Sequence, residues 1–254
     1  GDCKSSIGSS ILPPASIYFI YLNMPTAKEN LIVALDTPEL EQAIKWSKQL
    51  SGKVAAVKLG LEFFVANGPE AIAAIKDQGV EIFLDLKFHD IPNTTKEAVK
   101  QSLNLGVKFL TIHISGGREM LEWSANLAKD SNAMILGVSI LTSMNQPQFN
   151  ELGFLGEIKD QVLKFAKLAE DSGLQGMVCS PLEVKLLKEN GLKLKLITPG
   201  IRFDSDDKGD QKRIMTPKMA LISGSDYLVM GRSITKAGSS ILERVEYFDS
   251  SLVS

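Results

Sequence analysis

Apolar residues recur along this chain in short, nearly unbroken runs at 31–35, 54–57, 82–86, 109–114, 134–141, 177–179, 194–197 and 227–230. Runs of this length, bounded by polar and glycine-containing segments, read as strands covered on both faces. Between them the period changes. Leu40, Ala43, Ile44 and Leu50, then Ala71, Ile72 and Ile75, and later Val162, Phe165, Ala166 and Ala169 each fall on one stripe of a helix. Thr37-Pro38-Glu39 reads as an N-cap with proline at the first helical position. Strand and helix alternate strictly, which makes the sheet parallel, and eight such units predict an α/β fold: a single-domain (β/α)8 TIM barrel. A doubly wound open sheet is the competing architecture, but no G-x-G-x-x-G turn follows the first strand.

Regular patterning starts near Asn30, so residues 1–23 are expected to be an N-terminal extension outside the domain, a leader or an added segment, and residues 24–254 the barrel. Residues 17–22 form an apolar run downstream of Lys4, as a secretory signal would. Pro13 and Pro14 interrupt the region, however, and Met24 reads as a natural start.

Composition adds exclusions. The 254 residues are 44% apolar and 23% charged, which is globular, and 28 basic against 30 acidic side chains give a net charge of −2. Such a balance offers no footprint for nucleic acid or an anionic membrane, which leaves a small molecule as the expected partner. Cys3 and Cys179 show neither metal-ligand spacing nor a disulfide framework, as expected of a cytoplasmic protein.

In a barrel the chemistry gathers where strands end, and here those ends are unusually polar. Asp36 closes the first run, Lys58 the second, Asp85 to Asp90 the third, His113 the fourth, and Thr142-Ser143 the fifth. Asp85 and Lys87 alternate on one strand and are expected to face the same side, a carboxylate beside an ammonium. Opposite charges so placed keep the aspartate ionised and the lysine protonated, which makes a proton donor next to a fixed negative charge; an ion-pair network that merely stabilises the strand ends uses the same residues. Gly200-Ile201-Arg202 and Gly231-Arg232 follow the seventh and eighth strands, where barrels commonly hold phosphate on backbone N–H groups and forked arginines. The polar stretch 203–216 between them reads as a lid with Gln211 reaching inward, or as an ordinary solvated loop.

Other polar residues read structurally. Ser180-Pro181-Leu182-Glu183 is expected to be a capping box, and Thr94-Thr95-Lys96-Glu97 another. Cys179 reads as a small buried hydrophobe. His89 and His113 are too few for a histidine metal site, while Asp36, Asp85 and Asp90 leave a carboxylate-bound Mg2+ open.

The segment Asp85-Leu86-Lys87-Phe88-His89-Asp90-Ile91-Pro92-Asn93-Thr94 resembles that of the orotidine 5′-phosphate decarboxylase family, bacterial type. Ala34-Leu35-Asp36, Val57-Lys58-Leu59-Gly60, Leu141-Thr142-Ser143, Val178-Cys179-Ser180-Pro181, Thr198-Pro199-Gly200-Ile201-Arg202, Gln211 and Gly231-Arg232 extend the resemblance over roughly residues 31–244. It implies conversion of orotidine 5′-phosphate to uridine 5′-phosphate and CO2, the last step of de novo pyrimidine synthesis, with no metal and no cofactor. By the same resemblance Lys87 donates a proton to pyrimidine C6, Asp85 lies by the departing carboxylate, and Asp36 and Lys58 hold the ribose. Thr142 holds the pyrimidine, and Arg202, Gln211, Gly231 and Arg232 the phosphate. Asp90, Ile91 and Thr94 reach the site of a second subunit, which implies a homodimer with shared sites. Two other readings remain: a Mg2+-dependent sugar-phosphate lyase or decarboxylase on the same barrel, and a catalytically silent phosphate-binding barrel.

Overall fold

The structure, a computed structural model, describes residues 25–206, 214–236, 238 and 240–253. Cys3, Met24, residues 17–22 and Gln211 lie outside them. Eight strands, β1 (Leu31–Ala34), β2 (Ala56–Gly60), β3 (Ile82–Phe88), β4 (Phe109–His113), β5 (Met134–Val138), β6 (Gly176–Val178), β7 (Lys195–Thr198) and β8 (Tyr227–Met230), form one closed parallel barrel in sequence order. β1 closes it against β8 through Ile32↔Val229 and its neighbours. A short helix, α1 (Ala27–Asn30), leads into β1. The crossovers carry α2 (Leu40–Leu50), α3 (Leu61–Asn67) and α4 (Glu70–Lys76), α5 (Pro92–Asn104), α6 (Arg118–Ala128), α7 (Gln146–Glu151) and α8 (Ile158–Asp171), α9 (Val184–Glu189) and α10 (Pro217–Ser223), and α11 (Arg232–Thr235) and α12 (Ile241–Val253) follow β8.

Alternation along each strand divides the core in two. Leu31, Val33, Ile82, Leu84, Leu110 and Ile112 pack with helix residues such as Ile72, Leu121, Val162 and Phe248 in the outer layer. Their neighbours Ile32, Ala34, Phe83, Phe109, Leu136, Ile197 and Val229 form a separate cluster, and by alternation this one fills the barrel. Phe83 and Phe109 meet edge to face at 5.8 Å, and Phe109 and Tyr227 at 5.2 Å, so the interior is floored by aromatic rings. Both predicted layers are therefore present, and α8 buries Val162, Ala166 and Ala169 as its stripe predicts.

Boundaries depart from the sequence reading where hydrophobicity continues past the ladder. β5 ends at Val138 rather than at residue 141: its pairing with β6 stops at Val138↔Val178, and Ser139 closes it with both its N–H, at 3.3 Å, and its hydroxyl, at 3.0 Å, on the Val178 carbonyl. β2 starts at Ala56 rather than 54 and runs on to Gly60, so Lys58 lies within the strand. β6 and β7 are each offset by one residue. α2 begins at Leu40, so Pro38 precedes the helix, although Thr37 Oγ1 accepts the Glu39 N–H at 3.2 Å. The box expected at Thr94–Glu97 does not form: Pro92 already opens α5, which puts Thr94 inside the first turn. Only half of the box expected at Ser180–Glu183 forms: Glu183 Oε2 accepts the Ser180 N–H at 2.9 Å, but Ser180 Oγ accepts from the Leu182 N–H at 3.3 Å rather than from Glu183, and the helix begins after them at Val184.

Candidate active site

The carboxyl ends of the strands enclose a cavity of about 250 Å3. Its lining takes Asp36 from beyond β1, Lys58 from β2, Asp85 and Lys87 from β3, Thr142 from beyond β5, Gly200 and Arg202 from beyond β7, and Gly231 and Arg232 from beyond β8. Phe83, Val178 and Val229 line its lower wall, so the polar groups stand directly on the apolar filling of the barrel.

At the centre is an array of alternating sign. Lys58 Nζ lies 3.4 Å from Asp36 Oδ1 and 3.5 Å from Asp85 Oδ2, and Lys87 Nζ lies 2.8 Å from Asp85 Oδ1. Asp85 is 8% exposed. Burial pushes its carboxyl pKa up, but the Lys58 and Lys87 charges, with hydrogen bonds from Lys87 and Thr111, outweigh this and hold it below its ordinary value. Asp85 is thus a permanent anion in a nearly dry position.

Asp85 and Lys87 meet as predicted, but not through a regular pleat. Between the pairs Leu84↔Leu110 and Phe88↔Ile112, β3 advances four residues while β4 advances two. In this bulge Lys87 has φ 51°, alone among the described non-glycine residues in taking a positive value. A side chain held in that region costs about 1–3 kcal/mol and persists only where its surroundings fix it. Thr111 does so: its Oγ1 accepts the Lys87 N–H at 3.0 Å and donates to Asp85 Oδ1 at 3.0 Å. Sequence reasoning missed this residue, because a threonine within 109–114 looks like any strand former.

The second group of cations stands across the mouth. Gly200 has φ 79°, a conformation that suits glycine, and lets the chain turn into Ile201 and Arg202. Arg202 is buried, and burial, followed by the Arg232 charge, lowers its pKa, against the opposing pull of Asp206 and Asp36. Two guanidinium groups close enough to feel each other make a place where an anion is favoured. At Gly231 a Cβ would come within 3.0 Å of Asp36 Oδ2, so glycine is what lets β8 end against the charged array. Among the charged lining residues, four cations against two carboxylates leave a net positive cavity.

Asp90, Ile91 and Thr94 are exposed at the end of β3 and the start of α5, and do not line the cavity of their own chain. The rings of His89 and His113 lie 5.2 Å apart, tilted by 36°, and also stand outside the lining. Burial, then the His89 and Lys87 charges, pushes the His113 pKa down. Cys179 is fully buried, as expected of a packing residue. No group of three or more His, Cys, Asp or Glu side chains suited to a metal occurs among the described residues. Of Asp36, Asp85 and Asp90, from which a Mg2+ site would be built, the first two are joined through Lys58 and Asp90 lies outside the lining of the cavity.

Comparison with known proteins agrees with this geometry. Residues 29–245 match the family described as orotidine 5′-phosphate decarboxylase / HUMPS. An orotidine 5′-phosphate decarboxylase from Wolbachia sp. subsp. Brugia malayi is 48% identical over 212 residues, 82% of this chain and 93% of the relative. One from Pseudomonas fluorescens SBW25 is 43% identical over 217 residues, 84% of this chain and 94% of the relative. The crystal structure of orotidine 5′-phosphate decarboxylase from Lactobacillus acidophilus superposes with a TM-score of 0.77 at 38% identity, covering 89% of this chain and all of that one. A matching stretch that spans the whole barrel, with identity well above that of shared fold alone, assigns the chain to the orotidine 5′-phosphate decarboxylase / HUMPS family.

Proposed function

We propose that this protein converts orotidine 5′-phosphate to uridine 5′-phosphate and CO2, the closing step of pyrimidine nucleotide synthesis. One observation carries the reading: the alternating Asp36–Lys58–Asp85–Lys87 array and the Arg202/Arg232 pair share one cavity. With the phosphate on Arg202, Arg232, the Gly231 backbone and Gln211, the base reaches toward Lys87 and Thr142, and the ribose lies by Asp36 and Lys58. The C6–carboxylate bond then breaks, its electron pair stays on C6, and Lys87 delivers a proton there. Asp85 repels the substrate carboxylate in the ground state, whereas the attraction of Lys87 grows as charge collects on C6. The chain's own ammonium groups thus supply the cationic stabilisation, and the reaction asks for no cofactor.

Asp90, Ile91 and Thr94 then belong to a neighbouring site in a homodimer. Their exposure, and the 67% exposure of the large apolar Ile91, support this. Mixing Lys87→Ala and Asp90→Asn chains tests it: half the dimers are mixed and half their sites intact, so about a quarter of wild-type activity returns. Exchange proven by mass spectrometry without recovery of activity refutes the shared site. A cytoplasmic setting accords with the buried thiol of Cys179, and no helix of the described residues is long and apolar enough to cross a membrane.

The ultraviolet assay of orotidylate loss, run with and without EDTA, tests the activity. Stoichiometric conversion to uridine 5′-phosphate, unchanged by EDTA, is expected. Loss of activity in EDTA restored by Mg2+ would favour the metal-dependent lyase, and tight phosphate binding without turnover the silent barrel.

A further inference from the structure

The two arginine-bearing loops of the site come from different strands, and a residue outside the cavity joins them. Arg244, in the first turns of α12, donates from Nε to the Ser233 carbonyl of α11 at 2.7 Å and from Nη2 to Asp206 Oδ1 at 2.8 Å. Its guanidinium lies 4.6 Å from the Phe203 ring and 5.4 Å from that of Tyr247. Arg244 and Asp206 side chains are each only 13% exposed. The other oxygen of Asp206 accepts the Phe203 N–H at 3.1 Å. Both carboxylate oxygens are therefore engaged, four residues along the chain from Arg202.

The placement has an electrostatic side. Asp206 lies near enough to Arg202 for its charge to act on that guanidinium, and it is the first of the groups that counter the effects of burial and Arg232 there. A carboxylate in that position competes with any anionic ligand for Arg202. A nearly desolvated pair with Arg244 fixes where that carboxylate points, since the planar fork of arginine binds in set directions.

We propose that Arg244 is a positioning residue for the phosphate group: it ties the loop after β7 to α11 and holds the Asp206 carboxylate back from Arg202, leaving that guanidinium for the ligand. The inference rests on the phosphate assignment made above and adds a residue that touches neither substrate nor cavity.

It yields a pattern that a purely structural tie does not. With Arg244→Gln, Asp206 loses its partner and turns to Arg202, so uridine 5′-phosphate binds about tenfold more weakly, on the scale of one weakened charge-assisted contact, while uridine binds as before. Adding Asp206→Asn to Arg244→Gln removes the competitor, and most of the nucleotide affinity returns even though a second buried contact is gone. Asp206→Asn alone leaves the preference for uridine 5′-phosphate over uridine at the wild-type level or above, which keeps the test sound if Arg244→Gln folds poorly. The measurement is calorimetric titration of each full-length variant with uridine 5′-phosphate and with uridine, with thermal melting in parallel. Arg202→Gln is the control for the underlying assignment. If it leaves the preference unchanged, the phosphate site itself is misplaced. If it lowers the preference but Arg244→Gln does not, the positioning role is refuted. A double variant as weak as or weaker than Arg244→Gln, or a tenfold loss in Asp206→Asn alone, equally overturns the proposal.

Discussion

Thr111→Val replaces a hydroxyl by a methyl group of nearly the same volume in a fully buried position, so no cavity opens and the effect isolates two hydrogen bonds. One is donated to the Asp85 carboxylate, and a bond to a charged group contributes about 1.5–3 kcal/mol. The other accepts the Lys87 N–H, which is left without that acceptor at a cost of about 1–3 kcal/mol. Allowing for relaxation, the variant is less stable by about 2–4 kcal/mol, or roughly 5–15 °C in Tm for a chain of this size. The kinetic consequence is separate. Thr111 holds both the carboxylate partner of Lys87 and the left-handed backbone from which Lys87 projects, so displacement of the ammonium falls on the chemical step, with kcat lowered by about ten- to a hundredfold. KM changes little, because Arg202 and Arg232 stand beyond the ends of other strands, β7 and β8. Steady-state orotidylate turnover, measured well below the variant's Tm, reads this directly, and Thr111→Ser, which keeps the hydroxyl, restores kcat. A Thr111→Val enzyme with lowered Tm but wild-type kcat refutes the reasoning and reduces the hydroxyl to a satisfied polar group; so does a serine variant that recovers Tm and not turnover.

Lys87→Ala is expected to lose nearly all turnover while calorimetry still finds tight uridine 5′-phosphate binding, since the phosphate contacts remain. Gly231→Ala brings a methyl group to 3.0 Å from Asp36 Oδ2 and 3.4 Å from Ala34 Cβ, and is expected to raise KM severalfold; a wild-type KM would show that β8 shifts freely at this point. At the opposite end of the barrel, Asp226 accepts from Lys195 at 2.8 Å, Lys188 at 3.0 Å and the Leu196 N–H at 2.9 Å, so Asp226→Asn is expected to lower Tm at pH 7 and leave kcat/KM unchanged. Burial pushes the Asp226 carboxyl up, but these donors hold it below the ordinary 3.8, so its stabilisation is present above that pH and is lost as pH falls through the lower folded value. The Tm gap between wild type and variant, followed by calorimetry from pH 7 downward, therefore stays constant to about pH 4 and then closes; a gap that is independent of pH contradicts the ion-pair account.

The barrel was legible because its strands are covered on both faces and its helices on one, so the period of hydrophobicity changes at each crossover. The elements misjudged are those where an apolar run and a ladder part company: Ile140 and Leu141 are apolar although the pairing of β5 with β6 ends at Val138. Thr94 misled for a related reason, since a local S/T-x-x-E pattern says nothing about a proline two residues earlier that has already opened the helix. In the site, every charge that ends a strand was visible as a break in an apolar run, and so was the shared side of Asp85 and Lys87. The bulge that brings them together was not, because it is set by the pairing of β3 with β4 rather than by either strand alone. Thr111 was within reach: Phe83↔Phe109 pairing puts positions 85 and 111 at one level of the barrel. Arg244 was not, because its partners Phe203, Asp206 and Ser233 come together only when β7 and β8 lie side by side.

The distances within the charged array divide it into a fixed and an exchangeable part. Lys87 and Asp85 meet at 2.8 Å, the length of a well-made charge-assisted bond, and Thr111 braces both. Lys58 stands 3.4 Å and 3.5 Å from its two carboxylates, and Asp36 is half exposed toward the cavity. Long contacts of this kind give up little when a hydroxyl group takes one partner, whereas a separated Asp85 would become an unpaired charge in a nearly dry site, at a cost of several kcal/mol. These distances favour, in the proposed reaction, a ligand that rearranges the Asp36–Lys58 side and leaves the Asp85–Lys87 pair in place. In the proposed reaction this is the required division: the ribose is grasped by groups that yield, and the proton is delivered by one that does not.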